Sequence, residues 1–497
     1  MSQDYVPPKN GFRTFVLVWL TQAVSVFGSA LTGFAMTIWL TTTLYPREDQ
    51  RGELALAIAL TSMAFGVTTI LLAPIAGAWA DRHDRKRTMI MADLAMAGLS
   101  FLMLVLMLNG TLNLPILIVI DVFFAMAQGF HGAAFDTSYA MLVPEERLPR
   151  ANGMMQTVWS LSGILSPAIA AGIVTLPGLA RQGIIPGAIG EALAPLRDGV
   201  PLAIGMDAVT FFLSAVVLIF LVIPSPKRTD LTEGGKPKVS IWADVRVGAM
   251  YIWHRRPMLW LLGTFTVANF AGSPVGVFMP LLVKFNLQPD WSSRGMAFEG
   301  ALALVSTLFS LGGLIGGIFI STWGGLKKRR VYGVLVPMII AGMAQMVFGL
   351  SPLIYLTAGM AIVINAMLPI LNAHSQAIWQ SITPRELQGR VFSVRRVIAQ
   401  FSWPLSTAIA GILGGLFNPG IVVAALAAIY VLFCTAQLFN RQLLRVEDKA
   451  YLEDLASRAS GAAAAEAVAA SGPLGAAPAM TDERTGMPAP DLADKTT

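Results

Sequence analysis

Asp121, Ala125, Gln128, Gly132 and Asp136 recur every three to four residues. That spacing puts two carboxylates and an amide on one face of a helix whose other positions are mostly apolar. Carboxylates in such a setting can exchange protons or balance a cationic group. The same positions are also compatible with a hydrated Asp121 near one end of the helix and an Asp136 paired with an arginine near the other. Asn365, Asn372 and Gln376 form a second polar set in a later apolar stretch. Asp207 is expected to be hydrated near a helix end, and Asp93 to support the basic loop that precedes it. Arg395 and Arg396 suit either topology or an anionic group. Trp159 and Trp403 are candidate walls of an apolar pocket, while His131 and His374 read as packed polar groups. The four histidines are scattered, and the single cysteine, Cys434, sits in an apolar run. No metal-ligand spacing, disulfide or cluster of catalytic acids follows from them, so no metal, cofactor or enzymatic activity is expected. The only Gly-Lys pair, Gly235-Lys236, precedes Pro237 and excludes a phosphate-binding loop.

The elements that must hold these residues are set by composition. Of 497 residues, 55% are hydrophobic and 13% charged, and the mean hydropathy is +0.64. An average soluble domain carries about 25% charged residues. A soluble enzyme is thereby nearly excluded, and an all-α membrane protein is expected. Apolar runs of about 20 residues, broken at turns such as Asn109-Gly110 and Asn418-Pro419-Gly420, give twelve spans. These fall near 15–41, 54–79, 88–108, 114–140, 151–176, 203–224, 259–284, 299–323, 331–350, 353–380, 392–416 and 420–441. Continuous rather than alternating apolarity favours helices over a barrel. Arg82, Arg85, Lys86, Arg87, Arg147, Arg150, Lys227, Lys327 and Arg385 lie on one side, against only Arg47, Arg51, Arg181, Arg197 and Arg294 on the other, with Lys284 at a border. The positive-inside rule then predicts a multi-pass protein of the inner or plasma membrane with both termini cytoplasmic. The net charge of +6 therefore speaks of orientation, and no nucleic-acid partner is expected.

The chain reads as a duplication. Pro144, Glu146 and Arg150 recur as Pro384, Glu386 and Arg390, a constant shift of 240. At the same shift, Leu165–Ala170 matches Leu405–Ala410, and Gln376 stands where Asp136 does. The expected organisation is a six-helix bundle at 1–224, a cytoplasmic linker at 225–258, a second bundle at 259–442 and a tail at 443–497. The linker is expected to carry an amphipathic helix near Ile241–His254, and the tail to continue as a charged helix to Ser460 and be disordered beyond about 459. Parallel repeats of this kind place a site near the membrane midplane, between the halves. The apolar insert 177–201 is expected to pack on the outer surface.

The loop after span 2 reads Gly77-Ala-Trp-Ala-Asp81-Arg82-His-Asp84-Arg85-Lys86-Arg87. It resembles the signature loop of the major facilitator superfamily, Gly-x-x-x-Asp-Arg-x-Gly-Arg-Arg/Lys, with Asp84 in place of the usual glycine. Span 1, from Val24 to Ala35, and Asn152-Gly153 resemble the macrolide-efflux and enterobactin-exporter branch of that superfamily. Ser162, Ser166, Pro167, Ala170 and Ala171 are similar to a glycine-rich element of drug/proton antiporters, with Ser and Ala replacing the glycines. Gln128–Ala133 resembles a further motif, but Ala125 stands where that motif has an arginine.

The resemblance implies the major facilitator fold and alternating access. It implies proton-coupled efflux of amphipathic small molecules of drug, macrolide or siderophore type, by a monomer in a lipid bilayer. A lipid or lysophospholipid carrier, or an importer, of the same fold is the alternative, and a polytopic membrane enzyme a more distant one. It gives Gly77, Asp81, Arg82, Arg85 and Lys86 the role of a gating loop. Asp81 is expected to accept from the exposed N–H groups at the start of span 11, a latch worth about 0.3–2 kcal/mol. Ser166 and Pro167 would serve the conformational change, and Asp121, Gln128, Asp136, Trp159, Asn365, Asn372, Gln376 and Trp403 the cavity.

Overall fold

The computed structural model describes residues 10–144, 147–223, 241–384 and 387–458. Regular structure among them is all helical, and twelve helices are long and apolar enough to cross a membrane. Spans 1 to 6 are Gly11–Leu44, Glu48–Ala80, Arg85–Leu108, Leu114–Tyr139, Arg150–Arg181 and Val200–Phe220. Spans 7 to 12 are Arg256–Asn286, Phe298–Trp323, Arg330–Leu350, Ile354–Ile382, Gln388–Leu416 and Pro419–Gln437.

Departures from the expected limits have local causes. Span 3 begins at Arg85 rather than 88 because Asp84 caps it, its carboxylate accepting from the Arg87 N–H at 2.9 Å. Charged residues thus belong to a helix that hydropathy alone starts later. Span 5 continues to Arg181, so the insert 177–201 is partly helix. Arg181 then donates to the carbonyls of Ala194, Leu196 and Arg197, closing the loop on itself. The charged helix expected over 443–460 is broken. A short helix, Arg441–Leu444, is followed by helical residues 449–458, which Asp448 starts by accepting from the Tyr451 N–H at 3.1 Å. The linker residues 224–240 and the tail beyond 458 lie outside the described residues, as do Glu146 and Glu386 of the repeated motif and Arg385 of the basic side.

The linker helix, Ile241–Trp253, ends one residue before the expected limit. It packs under the second half: Gly248 sits against the Arg390 carbonyl, and Tyr251 donates to the Ile382 carbonyl at 2.9 Å. Leu443, Val446 and Leu452 are buried in the same apolar cluster as Trp379 and Val331. The linker helix and residues 443–458 therefore pack against the second bundle. On the other face, Asp290 ties the loop after span 7 to span 10. It accepts two hydrogen bonds from Arg294, at 3.0 and 3.1 Å, and one from the Ile354 N–H at 2.8 Å. These bonds, the Arg294 pair foremost, hold Asp290 below its ordinary carboxylate range. A lowered folded value means the tie is fully present above the unfolded value of about 3.9 and is lost as pH falls through the depressed one. Asp290→Asn is therefore expected to speed amide exchange at Ile354 at neutral pH, with wild type and variant converging once the carboxylate is protonated.

The two halves meet through spans 2 and 11 and spans 5 and 8. Small residues permit close approach along the first pair: Gly52 faces Gly415, Ala55 and Ala59 face Gly411 and Gly414, and Gly66 lies under the Trp403 ring. A single large core joins both halves there, including Leu54, Ile58, Phe278 and Leu281. Beyond Gly66 no glycine-mediated approach between the two helices follows among the described residues. Leu71, Ile75 and Trp79 of span 2 and Val397 and Phe401 of span 11 are exposed. The halves thus meet toward the face opposite the basic loops and part toward the basic face.

Candidate functional site

A polar stripe on span 1, Gln22, Ser25, Ser29 and Thr32, faces inward at helical spacing. Gly28 lets this helix approach span 6, since a Cβ there would lie 2.7 Å from Thr210 Oγ1. Thr32 completes the contact by donating to the Ala203 carbonyl at 3.2 Å. Spans 1 to 6 then enclose a chamber of about 530 Å³. Its polar groups fall in two layers. In the first, Asp207 is 1% exposed and accepts from Ser29 at 3.1 Å and Ser100 at 2.9 Å. In the second, Asp93 is fully buried and its Oδ2 accepts from Ser214 at 2.7 Å. Its Oδ1 lies 3.2 Å from His131 Nε2 but off any hydrogen-bond axis, leaving that oxygen without a true hydrogen bond. The Gln22 amide stands 3.2 Å from the same ring nitrogen.

Asp121 also lines the chamber, and no described residue hydrogen-bonds or ion-pairs with it. Two of the three carboxylates are therefore committed to serine partners and one is free. Met36, Met96, Met103, Phe65, Phe124 and Phe211 supply apolar wall, and no lysine or arginine lines the space among the described residues. Such a chamber offers negative charge, a flexible thioether surface and aromatic faces to one guest.

The expected site residues divide. Asp121, Gln128 and Trp159 line the chamber, Trp159 being 54% exposed. Asp136 is exposed and outside it. Asn365 donates to the Phe309 carbonyl at 2.8 Å, joining spans 10 and 8. Asn372 is exposed, and Gln376 accepts from Arg395 at 2.8 Å. Trp403 packs on Gly66 across the seam. The chamber thus belongs to the first half alone, whereas the duplication pointed to the boundary between halves.

Two expectations are corrected by packing. Asp207 is buried in a serine cradle rather than hydrated. Asp93 belongs to the chamber and not to the loop at 82–87. Arg395, also bonded to Ser375 at 3.3 Å, sits over the Trp379 ring at 5.2 Å. His374 is structural as expected: its Nε2 accepts from the Leu326 N–H at 2.8 Å, and Nδ1 lies 2.7 Å from the Ile370 carbonyl. The sequence signal that marks the missed acids is the serine seven residues away: Asp93 with Ser100, and Asp207 with Ser214.

In the loop, Lys86 donates to the Ile219 carbonyl at 2.8 Å. Arg85 is buried and donates to the Ala80 and Thr137 carbonyls at 3.3 and 3.0 Å. These cations thereby cap carbonyls at the ends of spans 2, 4 and 6. Arg82 is exposed, open space surrounds Gly77, and the Asp81 side chain lies outside the described residues. Ser166 donates to the Phe27 carbonyl at 3.4 Å, beside the Pro167 interruption of span 5.

The Major Facilitator Superfamily family profile matches residues 18–407. Macrolide efflux protein A of Streptococcus pyogenes is 24% identical over 397 residues, 79% of this chain and 87% of that protein. Multidrug efflux pump Tap of Mycolicibacterium fortuitum is 25% identical over 378 residues, 73% of this chain and 81% of that protein. Among solved structures, a bacterial homologue of the human lysosomal transporter Spinster superposes with a TM-score of 0.58. It is 14% identical and covers 92% of this chain and 96% of its own.

Proposed function

Because the chain belongs to the Major Facilitator Superfamily, we propose that it is a secondary active exporter that couples proton entry to the efflux of amphipathic small molecules. The observation that carries this is the free carboxylate of Asp121 in a chamber walled by methionines and aromatic rings. A free carboxylate can be occupied by a proton or by a cationic guest but not readily by both, and that competition is what exchange requires. Asp93 and Asp207 support this division, since serines already satisfy part of each. The efflux names of the relatives support the direction of transport.

In this reading the protein spans the plasma membrane with its basic loops and both termini in the cytoplasm. The arrangement that parts the halves on the basic face is then the inward-open state, ready to load from inside, and the molecule works as a monomer. Alternating access follows as rocking of the two halves about the glycine-lined seam of spans 2 and 11.

The test is accumulation of a macrolide and of a lipophilic dye in cells lacking their own pumps, with and without this gene. Lower accumulation that reverses when the proton gradient is collapsed is expected. Accumulation unchanged for every compound of the panel overturns export of this substrate class. Movement of lysophospholipid with no effect on drugs replaces it with the lipid-carrier reading.

A further inference from the structure

Spans 1 and 7 end alike. Each closes in a π-helical turn on the face opposite the basic loops, Leu40–Leu44 in the first half and Leu282–Asn286 in the second. In the first, the Tyr45 N–H bonds to the Leu40 carbonyl at 2.9 Å. An α-helix would have sent that N–H to Thr41, so the register shift leaves the Thr41 carbonyl without its intrahelical donor. Lys284, at the centre of the π-turn of span 7, fills the vacancy. Its ammonium donates to the Thr41 carbonyl at 2.5 Å and to the Tyr45 carbonyl at 2.8 Å. The stem lies half-buried, with the Phe285 ring 5.0 Å from the charge. Glu48 lines the same recess of about 330 Å³, yet the ammonium takes the carbonyls.

We infer that Lys284 is the latch of the gate on this face, pinning span 7 to the end of span 1 whenever the halves are closed there. Two features make the site a switch rather than mere packing. It is charge-assisted and placed at a helix C-terminal end, where a cation is favoured. It also crosses between bodies that must separate here if the chamber is to reach the opposite face. The other hydrogen bond between the halves among the described residues, Thr307 to the Ile164 carbonyl at 3.1 Å, is neutral and lies deeper in the bundle. Opening exchanges the two carbonyls for water around Lys284, so the latch sets the balance between closed and open states without touching the cargo.

The test places spin labels at Asp49→Cys and Ser292→Cys, exposed positions on the two halves of this face. Cys434, the single native cysteine, is fully buried. In reconstituted protein, Lys284→Met is expected to raise the ratio of long to short label distances about tenfold or more, the scale of one hydrogen bond to a charged group. Lys284→Arg, which keeps charge and donors, should stay near wild type. A distance distribution unchanged by Lys284→Met overturns the latch. Should that variant fail to fold, wild type decides. Lys284 must react with a membrane-impermeant amine reagent more slowly than in the unfolded chain, and equal rates overturn the proposal.

Discussion

Asp121→Asn is expected to lower proton-driven export by about ten- to a hundredfold, the scale of one interaction with a charged group, while membrane insertion and folding are retained. The change is isosteric and removes the chamber's one carboxylate that no described residue satisfies, so little structure depends on it. It leaves an amide that neither takes up a proton nor balances a cation. Substrate exchange across the membrane without a proton gradient should survive better than uphill transport, which separates lost coupling from lost binding. Asp207→Asn makes the comparison sharper. Its oxygens accept from Ser29 and Ser100, so substitution there disturbs a buried cradle and is expected to cost folding stability as well as transport. Uphill transport by Asp121→Asn equal to wild type would refute the assignment of the coupling carboxylate.

Gly411→Leu is expected to reduce transport at least as strongly, by a different route. A Cβ on Gly411 would lie 2.7 Å from the Ala59 Cβ, within the seam where spans 2 and 11 approach most closely. A leucine cannot be accommodated without driving the halves apart on the face opposite the basic loops. Chamber residues are untouched, so ligand binding should persist while the cycle stalls. The expected signature is a transport rate down about tenfold or more, as for overpacking of about 1–3 kcal/mol. A cysteine placed on that face of the seam should become more accessible to a bulky thiol reagent. Normal transport with no change in accessibility would show that the seam does not close as tightly as its glycines suggest. Together with the Lys284 variants, this separates steric closure from the charged latch that holds it.

Much of the architecture is legible in one dimension because a bilayer imposes a one-dimensional code. Each span must be apolar over a fixed length and satisfy its own backbone, so run length, breaks at Asn109-Gly110 and Asn418-Pro419-Gly420, and the residues between them suffice. At the start of span 3 capping moved the limit, since Asp84 begins a helix that apolarity alone starts later, and span 5 runs on to Arg181, whose side chain closes the loop that follows. The loop at 77–87 carries its family resemblance in residue order, independent of geometry. On span 4, the helical stripe from Asp121 to Gln128 pointed at the chamber, while its continuation to Asp136 ran past the chamber's end into exposure.

The sequence by itself determined which segments cross, how many there are, which loops are basic, and that the chain repeats. Only the tertiary structure decided which polar residues share a cavity. Asp93, His131 and Ser214 sit on three different spans, and Asp207, Ser29 and Ser100 on three as well. Their encounter depends on helix rotation and on close approach at Gly28, neither of which spacing along one chain records. The same holds for Lys284, which looks like a border residue until the π-turn of span 1 frees the Thr41 carbonyl and sets it beside that of Tyr45 to meet it. Hydropathy is a property of each segment, whereas pairing a buried charge is a property of its neighbours.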